Sequence, residues 1–171
     1  YAASGGWVSV FGQNAAQVLG SNNPDGGTSF YGTALAATFQ KESINSGTVL
    51  TQTQQVLAGA PGSAFNNLSV DISATGDGAG NQGSIDEIKF DTAAGAMPLL
   101  RYANGGGIVS QGFVAGAYRD DPTVERPGRA ILSRSAYFGF GLEGMNDDTG
   151  HLTRRDLLGA VRSWLSTEVS I

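Results

Sequence analysis

The sequence predicts an α/β domain that opens on a strand, runs through a strand-rich middle and closes on one amphipathic helix. Three observations predict this. A short apolar run near the N-terminus leads through a glycine turn into helical spacing. Runs of period two then recur through the middle of the chain, and a single apolar stripe at helical spacing ends it. With 171 residues, 40% of them hydrophobic, the chain suits one domain with a sizeable core.

Taken in order, Gly6 to Phe11 (GWVSVF) is bounded by glycine and rich in β-branched and aromatic residues, which predicts a buried strand. A short helix from about Gln13 to Leu19 follows, closed by Gly20. Ser21 to Gly27 (SNNPDGG) is a loop by its turn chemistry. Between Ser29 and Lys41 the period changes. Tyr31, Ala34, Leu35, Thr38 and Phe39 fall at helical spacing behind a cap at Thr28 or Ser29. Strand-like runs come next: Val49–Val56, Leu68–Ile72, Ile85–Phe90, Leu99–Ala103 and Ile108–Tyr118, with a turn at Gly105-Gly106-Gly107. Arg129 to Leu142 supplies one or two more strands and ends in glycine-rich chain.

The last element has the strongest signature. Thr153 precedes Asp156 by three residues, a variant of the capping box. Leu157, Leu158, Val161, Trp164 and Leu165 then form one apolar face, with Arg154, Arg155 and Arg162 on the polar side. No internal repeat or linker divides the chain. A first strand of parallel type needs neighbours that the early sequence does not supply, so strands and helices upstream of this segment are expected.

Composition excludes several functions. The formal net charge is -5 with a pI near 4.6, and the ten Lys and Arg residues are scattered. Nucleic-acid binding needs a basic face that neutralises phosphates, and no cluster here forms one. The same acidity opposes anionic membranes. There is no Cys, which removes disulfides, thiolate nucleophiles and Cys-based zinc sites together. No apolar run approaches the roughly 20 residues that span a bilayer. Low charge and 26 glycines agree with an exported, extracellular protein.

Two constellations are candidates for chemistry. Val10-Phe11-Gly12-Gln13-Asn14-Ala15-Ala16 has the strand–turn–helix form of a nucleophile elbow, although it also reads as a plain strand-to-helix turn. The second is Tyr137-Phe138-Gly139-Phe140-Gly141-Leu142-Glu143-Gly144-Met145-Asn146-Asp147. Together with the terminal helix, these segments resemble class I glutamine amidotransferase-like, flavodoxin-like domains. In that family a Gly-x-Cys elbow supplies the nucleophile, and a Phe-His-Pro-Glu stretch supplies base and orienting acid.

The resemblance places Asn14 at the Cys position, Gly141 at the His position and Glu143 at the Glu position. It therefore implies a degenerate triad with no nucleophile and no base. A closer likeness is to the amidotransferase-like regions downstream of the catalytic domain in secreted bacterial subtilisin-like serine peptidases. It rests on Gly12-Gln13-Asn14, on Gly76-Asp77-Gly78-Ala79-Gly80-Asn81-Gln82, on Gly139-Phe140-Gly141-Leu142-Glu143, and on Leu157-Leu158 with Trp164-Leu165. The fold this implies is the C-terminal part of a flavodoxin-like sheet with a β-rich insertion and a C-terminal helix.

Other groups are candidate sites. Asp77, Asn81, Asp86 and Glu87 are oxygen ligands in a glycine-rich loop. With Asp77 first, however, an EF-hand would need Gly where Gln82 stands and Glu where Ile88 stands. Calcium at Asp77, Asn81 and Asp86 stays a minor alternative to a solvated turn. Asn146-Asp147-Asp148 reads as a loop before the helix. His151 is the only histidine and cannot form a two-His metal site. A triad of His151 with Ser110, Ser133 or Ser135 lacks an elbow serine. Glu143 is expected to hold local backbone or to bind Arg134 or Arg101.

The function these readings imply is a non-catalytic accessory domain of a secreted subtilisin-like peptidase or related exported protein, with the peptidase domain or upstream segment as its partner. No cofactor is expected. Two alternatives stay open. One is an extracellular carbohydrate- or peptide-binding module using Trp7, Tyr102, Tyr118 and Tyr137. The other is a hydrolase that pairs Glu143 with Asp147 or Asp148.

Overall fold

In a computed structural model, the structure describes residues 7–13, 37–41, 56–80, 82, 87–90, 92–104, 107–108, 114–121, 125–126, 129–130 and 133–167. Those residues form mixed parallel and antiparallel sheets with one helix near the C-terminus, broadly an α/β arrangement. The strands are β1 (Trp7–Phe11), β2 (Ala37–Lys41), β3 (Val56–Gly59), β4 (Ser69–Asp71), β5 (Glu87–Phe90), β6 (Ala96–Asn104), β7 (Gly107–Ile108), β8 (Val114–Asp121), β9 (Glu125–Arg126), β10 (Arg129–Ala130) and β11 (Ser133–Phe138). Helix α1 spans Arg154–Ser166.

The main sheet follows the path β1-β11-β8-β6-β3-β4, with β5 on β8, β2 on β5 and β7 on β6. β1 runs parallel to β11, Trp7 opposite Arg134 and Phe11 opposite Phe138. The other described pairings are antiparallel. Within the described residues, the strands expected in Gly6–Phe11, Leu68–Ile72, Ile85–Phe90 and Leu99–Ala103 appear as β1, β4, β5 and part of β6. The expected helix over Ser29–Lys41 is corrected at its end, because Ala37–Lys41 is a strand paired with β5. Thr38 and Phe39 fit either period, and an available sheet edge outweighs a weak local preference. Gln13 lies in a turn, and the rest of the helix expected from Gln13 to Leu19, the loop from Ser21 to Gly27 and most of Val49–Val56 lie outside the described residues.

Burial follows the sheet. Ser135 and Tyr137 on one face of β11, and Arg134, Ala136 and Phe138 on the other, are all buried. β11 is thus covered on both sides, as the inner strand of a layered fold is. The core joins Leu57, Val70, Ile72, Leu99, Leu100, Phe138 and Phe140 to the inner face of α1. Leu99 and Leu100 both enter it although they are neighbours, because the β6 register against β8 shifts on either side of Leu100. Pro98 stands just before the shift, and it cannot donate to the ladder.

Helix α1 has the predicted cap. Thr153 Oγ1 accepts from the Asp156 N–H at 3.1 Å and donates to Asp156 Oδ2 at 2.7 Å. Leu157, Val161 and Trp164 are buried, but Leu158 is exposed and leaves the expected apolar face. At 100° per residue it lies on the flank of a stripe centred on the other three. Trp164 meets Phe65 and Tyr118 edge-on, with ring centres 5.6 and 5.4 Å away. Arg134, buried on β11, lies against the Trp164 ring and donates to the carbonyls of Trp164 and Thr167. A cation there complements the negative end of the helix and fastens it to the sheet.

Candidate functional site

The residues singled out from sequence meet where two loops join. One loop leaves β4 and runs from Ile72 to Gly80; the other follows β11 from Gly139 to Gly150. A 3-10 turn at Leu142–Gly144 shapes the second loop, which then leads into α1.

The joint is built around Asn146, which is fully buried. Its Oδ1 accepts from the Gly78 N–H at 2.7 Å, and its Nδ2 donates to the Ser73 carbonyl at 2.9 Å. Its own N–H donates to the Asp71 carbonyl at 2.8 Å. One amide side chain thereby satisfies backbone groups on the facing loop, as burial demands. Gln82 repeats the device nearby. It is buried, its Oε1 accepts from the Gly141 N–H at 2.8 Å, and its Nε2 donates to Glu143 Oε1 at 3.4 Å.

The glycines of both loops now have a physical reason. A Cβ on Gly78 would lie 2.6 Å from the Gly144 carbonyl oxygen, and one on Gly144 would lie 2.1 Å from Gln82 Cγ. At Gly78 the two loops approach backbone to backbone, and at Gly144 the missing side chain makes room for Gln82. Gly76–Gly80 is half-buried to exposed, a turn of the kind expected from its polarity, and Gly78 packs it against the second loop.

Charges line the outer rim. Arg154 Nε donates to Asp147 Oδ2 at 2.9 Å, and its Nη2 donates to Asp77 Oδ2 at 3.1 Å. Asp147 also accepts from the Arg154 N–H, and Asp77 Oδ1 accepts from the Asp147 N–H at 2.6 Å. Of the calcium candidates, Asp77 is thus engaged with an internal cation, while Asn81 and Asp86 lie outside the described residues. Among the described residues no group of three or more His, Cys, Asp or Glu side chains gathers to hold a metal ion.

Inside the rim lies Asp71, a buried carboxylate that sequence reasoning missed because a polar strand end carries no distinctive pattern. Burial opposes its charge, but hydrogen bonds from the Ser73 N–H at 2.7 Å and from the Ser73, Asn146 and Thr149 side chains outweigh it. Together they hold its carboxyl below the ordinary 3.8. The sign follows from linkage. A carboxyl depressed in the folded state stabilises the fold above its unfolded pKa, and that contribution is lost as pH falls through the folded value. Below about pH 4 the joint is expected to loosen. An acid titration of stability should show a weaker dependence in Asp71→Asn than in the parent over that window.

The degenerate triad positions are only partly described. Asn14 lies outside the described residues. Gly12 is described, and its N–H donates to the Phe138 carbonyl at 3.2 Å, so the elbow turn sits beside the end of β11. Gly141 is buried and extended, at φ -83° and ψ 140°. A Cβ there would lie 2.2 Å from Glu143 Oε1, because the Glu143 carboxylate folds back over the glycine. Glu143 is exposed and bonded to Gln82, while Arg134 is engaged with the carboxyl end of α1, so the expected Glu143–Arg134 pairing gives way. Asp147, proposed as a second acid, is held by Arg154.

His151 is half-buried, and its Nδ1 lies 2.6 Å from Ser69 Oγ on β4, a pairing not expected from sequence. The Leu152 N–H donates to the Ser69 carbonyl, so this contact belongs to a segment lying along the β4 edge. Of the four aromatics weighed for binding, Tyr118 and Tyr137 are buried and Trp7 is exposed. No described helix is long and apolar enough to cross a membrane. No protein-family model, curated protein or solved structure matches the chain.

Proposed function

We propose that the chain is a non-catalytic accessory domain of a secreted subtilisin-like peptidase or related exported protein, on a flavodoxin-like, amidotransferase-like sheet whose triad is degenerate. The observation that carries this reading is the state of the Gly141 position. The elbow strand β1 and the late strand β11 lie side by side and parallel, ending flush at Phe11 and Phe138. An amidotransferase-like frame would bring nucleophile and base together at that end. The base position there holds a glycine, and the Glu143 carboxylate covers it. In such a triad the carboxylate orients the base, and with no base at position 141 Glu143 has nothing to orient.

The joint supports the same reading from another side. Its polar groups are turned inward onto one another: Asn146 and Gln82 on backbone amides, Asp77 and Asp147 on Arg154. Such an arrangement rigidifies two loops. A domain of this kind would serve its parent by packing beside the catalytic domain. Among the aromatics whose side chains are described, Trp7 alone is exposed, which supports the accessory reading over a carbohydrate-binding module.

The purified chain is expected to release no product from peptide, ester or glutamine substrates above the uncatalysed rate, and Glu143→Gln should change nothing. Turnover that Glu143→Gln abolishes would overturn the reading in favour of a hydrolase.

A further inference from the structure

The chain has two methionines, and the fold treats them oppositely. Met145 lies in the second loop of the joint, is fully buried, and belongs to the core cluster with Phe138, Phe140 and Leu157. Its N–H donates to the Leu142 carbonyl at 3.2 Å, which fixes the backbone that carries it. Met97 is the second residue of β6 and is 41% exposed. Single exposed apolar residues are ordinary. A thioether differs from the others in carrying a sulfur that oxidants attack.

The ladders explain why Met97 stands open. β3 accompanies β6 as far as Gly59 opposite Leu100, with one further bond from the Ala60 N–H to the Leu99 carbonyl. Met97 lies past that point, where the chain after β3 turns away through the exposed Pro61 and Gly62. On its N-terminal side, Thr92, Ala93 and Gly95 bring only small side chains and are themselves exposed. Met97 is held opposite Tyr118 of β8. Directly opposite residues share a face, and Tyr118 is buried there against Phe65 and against Trp164 of α1. Met97 therefore stands at the margin of that aromatic cluster, its backbone held by the sheet and its side chain open to solvent.

We propose that Met97 is a modification site: in the folded chain its sulfur takes one oxygen from a peroxide, while the fold shields Met145. The sulfur lone pair attacks one peroxide oxygen, so that an S–O bond forms as the O–O bond breaks. The thioether is oxidised by two electrons to the sulfoxide, and the peroxide is reduced. With hydrogen peroxide, the departing hydroxide takes up the proton of the transferred hydroxyl and leaves as water. The sulfoxide is polar. At Met97 it turns toward water, so the fold outlasts the change. At Met145 the same group would be buried in an apolar cluster with its oxygen desolvated. Oxidation therefore proceeds in a fixed order, Met97 in the folded chain and Met145 only once the chain opens. Enzymes that reduce methionine sulfoxide return the site to its first state.

Treatment of the whole folded chain with hydrogen peroxide, followed by intact-mass measurement and peptide mapping, tests this. Uptake of one oxygen is expected, at Met97, with Met145 oxidised at least about tenfold more slowly. Met97→Leu is close to volume-conserving, so circular dichroism should report an unchanged fold while that uptake disappears. In denaturant the two methionines of the parent chain should oxidise at similar rates, which assigns the difference to burial and not to neighbouring sequence. A folded chain that takes up no oxygen overturns the proposal. So does one that oxidises both methionines alike or Met145 first, or one whose added oxygen persists in Met97→Leu.

Discussion

Replacing Gly59 with alanine is expected to destabilise the fold by at least about 3 kcal/mol, because the new methyl group meets main chain and not a movable side chain. An ideal Cβ at this position lies 1.8 Å from the Phe65 carbonyl oxygen. Gly59 ends β3, and its N–H donates to the Leu68 carbonyl at 2.8 Å across the base of the turn between β3 and β4. The turn cannot recoil freely. Phe65 itself is buried against Tyr118 and Trp164, so moving its carbonyl disturbs the contact between sheet and helix. For a chain of this length the loss corresponds to a fall of about 6–12 °C in melting temperature, read by circular dichroism. Gly159→Ala serves as the control: nothing lies within 4 Å of its Cβ, and a mid-helix alanine should hold or raise the melting temperature.

Asn146→Ala should cost about 2–4 kcal/mol. Truncation leaves the buried Ser73 carbonyl and the half-buried Gly78 N–H without their partner, the first costing about 1–3 kcal/mol and the second less. Asn146→Asp should do no better, since a carboxylate keeps the acceptor for Gly78 but has no N–H for Ser73 and adds charge near Asp71. If the joint is the structural unit described, both variants also become sensitive to limited proteolysis within residues 72–80. A stable Asn146→Ala with an unchanged proteolytic pattern would mean that the loops are held by other contacts.

How far the sequence discloses this arrangement depends on the range of the interaction. α1 is legible because its cap and stripe are written in neighbouring residues: Thr153 with Asp156, then Leu157, Val161 and Trp164. β1 and β4 are legible because each short apolar or alternating run lies between turn residues. Ala37–Lys41 is not legible because its pairing with β5 involves residues about fifty positions away that no local period reveals. The joint shows the same division. Gly76–Gln82 and Gly139–Asn146 are conspicuous in the sequence, but nothing local says that the two segments pack against each other. Asp71 and the Ser69–His151 contact left no signal at all, since each arises only when β4 meets the chain preceding α1.

The pairing of β1 with β11 has a consequence for how the molecule is made. Gly12 and Tyr137, joined by a hydrogen bond at this seam, are 125 residues apart. As the chain leaves the ribosome, Trp7–Phe11 emerges long before Ser133–Phe138 and waits without that ladder until the residues between them have been translated. Long-range parallel pairing of this kind is slow to form and exposed to misassembly in the meantime. Nascent chains that stall before residue 138 should therefore depend on chaperones far more than the finished protein does.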